Sequence, residues 1–198
     1  TRPLPSAAGD VGWNWGTLRN INYYLQNSSK CTDTYVRNRY DGVAYFFRAF
    51  FYYNMLTKFG EVPWYDQPIG SADTELLCKP RDSRDVIIGH IIDDCDRAFD
   101  LLLPYGKKTT EICAWTALAL KSRATLFEGT FRKYHAGTTF NATSLSGDRL
   151  LEICADASRK LIDEGGYRLY TDTGEPYRNL FATIEPLSLI HISEPTRH

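Results

Sequence analysis

The residues with most capacity for chemistry in this 198-residue chain are few and scattered. Its five cysteines, Cys31, Cys78, Cys95, Cys113 and Cys154, include no C-x-x-C pair, so zinc-ribbon and thioredoxin-type readings fail on spacing. The odd number leaves at least one thiol without an intrachain partner. Cys95, Cys113 and Cys154 fall in helical patterns, where free cysteine packs as a small hydrophobe. His90 lies beside an apolar stripe and reads as a packed or edge histidine, and His135 falls at a helix end, where a cation suits the dipole. Asp93, Asp94 and Asp96 form a short acidic run. On a helix, adjacent residues point about 100° apart, so the run reads as a solvated face rather than a metal site. There is no G-x-S-x-G, H-E-x-x-H or glycine-rich phosphate loop. The chain is therefore read as non-enzymatic, with no metal and no cofactor.

The aromatic residues carry more information. There are 13 Tyr, 10 Phe and 4 Trp, 14% of the chain, against a single Met. Such side chains build large cores, and Tyr and Trp also build wet binding faces. Trp13 and Trp15, two positions apart, would point about 200° apart on a helix. Trp15 then falls on the apolar face and Trp13 off it, beside Asn14, so Trp13 is either an exposed platform or a packing residue. Trp64 and Tyr65 follow Pro63 in a long loop, as a platform, an interface edge or a lid over the core. Arg48 sits among four phenylalanines, where a guanidinium is expected to be buried and paired with a carboxylate.

Five helices must position these residues. Val11, Trp15, Leu18, Asn22 and Leu25 repeat at helical spacing after Asp10, a candidate cap. A polar loop with Cys31, Tyr35, Arg37 and Arg39 is expected next. Asp41 then caps a helix whose stripe of Val43, Phe46, Phe47, Phe50, Phe51, Asn54 and Met55 ends at Gly60. Phe46, Phe47, Phe50 and Phe51 are expected at the centre of the core. Residues 61–81, rich in Pro and Gly, form a loop of a length that is usually functional. A third helix starts at Asp82 or Ser83, with Ile87, Ile91, Cys95, Ala98 and Leu102 on its face. A fourth runs from about Thr110 to Tyr134 on Cys113, Ala117, Leu120, Ala124, Phe127 and Phe131. A fifth, Asp148 to Glu164, uses Leu151, Cys154, Ser158 and Leu161. No strand alternation or hairpin signal appears, so the fold is all-α, with neighbouring helices paired as in a helical-repeat stack. The net charge of -1 argues against a nucleic-acid partner, and no apolar run spans a bilayer.

Five blocks follow one another along the chain: Trp13 with Leu18-Arg19-Asn20-Ile21-Asn22; Ala44-Tyr45-Phe46-Phe47-Arg48-Ala49 through Lys58-Phe59-Gly60-Glu61-Val62-Pro63; Pro80-Arg81-Asp82 with Ile91-Ile92-Asp93-Asp94 and Leu103-Pro104; Ala117 to Ala124; and Gly166 to Tyr170. In this order they resemble the SusD/RagB family of outer-membrane nutrient-binding lipoproteins. The resemblance implies tetratricopeptide-like antiparallel helix pairs and capture of an oligosaccharide or peptide for a TonB-dependent outer-membrane transporter. It also implies surface exposure through a lipid anchor that lies, with its signal peptide, outside this sequence. Glycan capture would employ ring stacking and hydrogen bonds, for which Trp13, Asn14, Trp64 and Tyr65 are the candidates. Residues 1–186 then form a partial SusD-like domain. Leu187–His198, LSLIHISEPTRH, loses all periodicity and resembles a translated sequencing adapter, so it is expected to be non-native. Two other classes fit the helical pattern: a generic tetratricopeptide-like interaction scaffold and a helical glycoside hydrolase fragment.

Overall fold

A computed structural model describes residues 12–70, 72–107, 110–138 and 145–167, with 171, 174 and 178. The Leu187–His198 tail, the Asp10 cap and Val11 lie outside them. Six α-helices occur among the described residues: α1 (Gly16–Asn27), α2 (Thr34–Phe59), α3 (Thr74–Leu77), α4 (Arg84–Leu102), α5 (Ala114–Tyr134) and α6 (Gly147–Glu164). No strand is present among them, only an isolated bridge between Val62 and Asp82. None of the helices is long and apolar enough to cross a membrane.

The long helices stack in chain order, and side-chain contacts fix their directions. The start of α2 meets the end of α4 at Gly42 and Leu102, and the end of α2 meets the start of α4 at Gly60 and Arg84. Arg84 binds Glu128 and Lys121 binds Asp96, which makes α4 and α5 antiparallel. Gly129 abuts Gly147, and Ser122 bonds Ser158 at 2.7 Å, which does the same for α5 and α6. At Gly42 a Cβ would stand 2.7 Å from Leu102 Cγ, so only glycine admits this approach of α2 to α4.

Local signals explain several boundaries. Ser83 Oγ accepts from Val86 N, and Ser146 Oγ accepts from Arg149 N, as N-caps do. Gly60 ends α2 with φ of 73°, the left-handed region that glycine enters without strain. The start of α2 differs from expectation. Asp33, not Asp41, is the cap, its Oδ1 accepting from Val36 N at 3.1 Å. From Thr34 onward the expected polar loop is therefore helical. Its residues find distant partners: Tyr35 packs on Tyr105 with ring centroids 4.6 Å apart, and Arg39 pairs with Glu111. The long 61–81 loop contains the one-turn α3.

The stripe of α4 is buried as its spacing implies. The core face of α2 is not the expected one. Phe46 is buried, but Phe47 and Phe50 are each 43% exposed and Phe51 is half-buried. Ala49, Tyr52 and Leu56 take the centre instead, beside Met55 of the expected stripe, because small residues at 42 and 49 let α4 approach that side. On α6, Leu150, Cys154 and Ala157 are the buried residues, while Leu151, Ser158 and Leu161 sit at the margin.

Two buried ionic networks cross the stack. Arg48 of α2 grips Asp94 of α4 bidentately, Nε to Oδ2 at 2.7 Å and Nη2 to Oδ1 at 2.8 Å. Asp94, expected on a solvated face, is only 2% exposed; the guanidinium opposite is what draws it inward. Burial raises the Asp94 carboxyl above the usual carboxylate range, and the Arg48 guanidinium pulls it back down. The second network joins Arg84 of α4 to Glu128 of α5, and Arg132 to both Glu128 and Asp85.

Phe50→Ala should cost about 1 kcal/mol or less in urea unfolding, and Leu56→Ala about 2–5 kcal/mol. Equal costs would contradict the observed face of α2. Asp94→Asn should cost about 3–5 kcal/mol by stranding Arg48, whereas Arg48→Met with Asp94→Leu should cost clearly less than the single change.

Candidate functional site

A cleft of about 550 Å³ lies between α1 and the 63–81 loop. Both walls follow from local chemistry. Asn14 Oδ1 accepts from Gly16 N at 2.8 Å and starts α1. Trp13 and Trp15 precede the first helical residue, so helical spacing does not separate them. They meet edge to face, with centroids 5.2 Å apart and planes at 78°. Trp13 also packs edge-on against Phe59, and Trp15 against Tyr65 at 5.5 Å.

The opposite wall is irregular backbone pinned from several directions. Asn22, 1% exposed, donates from Nδ2 to Tyr65 O at 2.9 Å and Gln67 O at 3.3 Å. Tyr65 N donates to the Tyr52 hydroxyl at 2.7 Å, and the Tyr65 hydroxyl donates to Leu76 O at 2.8 Å. Trp64 N donates to Asp82 Oδ2 at 2.7 Å, and Lys79 Nζ donates to Trp64 O at 3.0 Å. Desolvation, then Asp82 and Cys78, raise the Tyr65 phenol. Its hydroxyl therefore stays neutral at physiological pH, as its donor role requires.

Trp13 and Tyr65 line this cleft together, joined by Trp15, Arg19, Gln67 and Arg81. The other two sequence candidates sit elsewhere. Trp64 is 9% exposed, with its indole between Tyr52, centroids 4.2 Å apart, and His90, stacked at 4.1 Å and 10°. Both of its faces are covered, so it serves the core, and its edge borders a separate pocket of about 110 Å³ with Arg48, His90 and Asp94. Asn14 commits its amide oxygen to the helix start. Trp15, expected in the core, is half-buried and divides its surface between core and cleft. Arg19 and Gln67 were not singled out in sequence. The i, i+4 spacing of Trp15 and Arg19 is the signal for the first; Gln67 is placed by Asn22, 45 residues away.

Three solved structures share this arrangement of helices. A SusD-like protein from Bacteroides fragilis NCTC 9343 aligns with a TM-score of 0.63 and 22% identity over 84% of this chain and 29% of its own. A second SusD superfamily protein from the same organism gives 0.60 and 17% over 83% and 32%. One from Bacteroides vulgatus ATCC 8482 gives 0.54 and 19% over 73% and 27%. The fold is SusD-like. The chain spans about three tenths of the length of these structures. No protein-family model and no curated sequence matches it. Within this SusD-like helical unit, no group of three or more His, Cys, Asp or Glu is arranged to hold a metal ion among the described residues. Cys95 is an inert thiol: burial first, then Asp94 and Asp96, push it up, away from the thiolate.

Asn22→Ala should cost about 1–3 kcal/mol by removing the buried amide donor that the Tyr65 and Gln67 carbonyls share. Amide exchange should accelerate selectively at Tyr65, whose N–H loses its rigid setting. Unchanged exchange there would show that the wall does not depend on Asn22.

Proposed function

We propose that this chain is the helical part of a SusD-family receptor that captures oligosaccharides without catalysis. The observation that carries the reading is the cleft walled by Trp13, Trp15 and Tyr65, with polar side chains of Arg19, Gln67 and Arg81 at its margin. Sugar rings present apolar C–H faces and a rim of hydroxyls, and aromatic walls with flanking donors match both. The pinned loop supports this use, because a preformed wall avoids the ordering cost of binding. Delivery to a TonB-dependent transporter and attachment to the outer membrane through a lipid anchor complete the proposal. They rest on the SusD-like fold and on the sequence blocks that resemble the family.

Calorimetric titration of the full-length protein against a panel of oligosaccharides tests it. Trp13→Ala should weaken binding by about 2 kcal/mol, roughly thirtyfold, with the circular dichroism spectrum unchanged. A folded Trp13→Ala protein that binds every ligand as wild type does would remove the cleft from the binding site. Co-isolation of a TonB-dependent transporter with the native protein from outer membranes tests delivery, and its absence under mild solubilisation would count against that step.

A further inference from the structure

We infer that the cleft selects acidic oligosaccharides, through Arg19 and Arg81. The inference rests on the proposal that this cleft is the capture site. Three cations line it, Arg19, Lys79 and Arg81, and among the described residues no Asp or Glu does. The cations are not equivalent. Lys79 Nζ lies 2.7 Å from Asp82 Oδ2 and also donates to Trp64 O, so its charge is balanced within the loop. Arg19 and Arg81 have no carboxylate partner among the described residues, and both are exposed. Among the described residues the cleft therefore carries two positive charges without a carboxylate partner, on a chain whose net charge is -1, so the local excess does not follow from a basic protein.

Their settings suit anion recognition. The Arg81 guanidinium lies over the Trp13 ring, Cζ 5.4 Å from its centroid. An indole face orders a guanidinium while leaving its edge N–H groups free to donate. Arg19 N donates to Trp15 O at 2.9 Å, one turn along the chain, and both residues line the cleft. A planar guanidinium binds carboxylate or sulfate oxygens in pairs, and these charge-assisted bonds are stronger than those to neutral hydroxyls. A saccharide lying on the indoles is thus best held when its rings carry such groups. Carboxylate and sulfate substituents share this chemistry.

The test is titration of the full-length protein with pairs of acidic and neutral saccharides: a galacturonate trisaccharide against its full methyl ester, and a sulfated carrageenan disaccharide against its desulfated form. At least one acidic member should bind about tenfold tighter than its partner. That ratio should fall toward one in Arg19→Gln/Arg81→Gln, and should shrink between about 50 and about 500 mM NaCl as screening increases. If charged and neutral partners bind equally and Trp13→Ala weakens both, charge selection is overturned while capture in the cleft stands. If Trp13→Ala affects neither, both readings fail. A ratio that persists in the double arginine variant overturns the assignment to these residues. So does failure of both acidic saccharides to bind, or tighter binding of an acidic tripeptide than of any saccharide.

Discussion

A guanidinium taken out of water needs a carboxylate and further acceptors around it, and helices that supply these must sit in one register. Arg48 imposes that constraint here. Its bidentate pair with Asp94 locks α2 against α4, while its third nitrogen lies 3.5 Å from the Asn22 oxygen of α1. Its guanidinium carbon is 5.2 Å from both the Tyr45 and Trp64 ring centroids. Sliding α4 by one residue along α2 would break both charge-assisted bonds at once. Whether the pair adds net stability over an apolar substitute is secondary; it penalises the wrong registers.

The same logic recurs one helix further on. Glu128, fully buried on α5, receives Arg84 from α4 and Arg132 from its own helix, and Arg132 also donates to the Leu145 carbonyl ahead of α6. The Arg84 guanidinium lies 3.9 Å from the Phe131 centroid, so its apolar faces are packed as well. The two networks leave little freedom in how α1, α2, α4, α5 and α6 stack. Apolar burial supplies the driving force, and the ionic groups select among the ways of achieving it.

The cleft inherits its rigidity from this arrangement. Asn22 touches Arg48 on one side and the backbone of Tyr65 and Gln67 on the other, so the helix register is transmitted directly to the loop. Tyr52 adds a second tie from α2, and burial keeps its phenol protonated and able to bridge the backbone. An irregular segment of this length would ordinarily be mobile. Here its polar groups are met by side chains of α1 and α2 and by its own Lys79 and Asp82, which is why it can form a fixed wall beside Trp13 and Trp15.

Much of this was legible in the sequence. The 3.6-residue period of α4, α5 and α6 locates those helices, Ser83 and Gly60 mark boundaries, and the carboxylate partner of Arg48 follows from the cost of burying a lone charge. These features depend on neighbours within a few turns, or on chemistry that any fold must satisfy. The face of α2 was not legible, because residues 43–56 are aromatic or apolar nearly all round and offer overlapping stripes. The choice fell to Gly42 and Ala49, whose small size matters only once α4 lies against them. The helical state of residues 34–39 depends on Tyr105 and Glu111, about 70 positions away. The division between Trp13 in the cleft and Trp64 in the core is of the same kind. Sequence determined that both are large, amphipathic rings near turns; only the packing of Tyr52 and His90 against the two faces of Trp64 decided which ring was left lining the cleft.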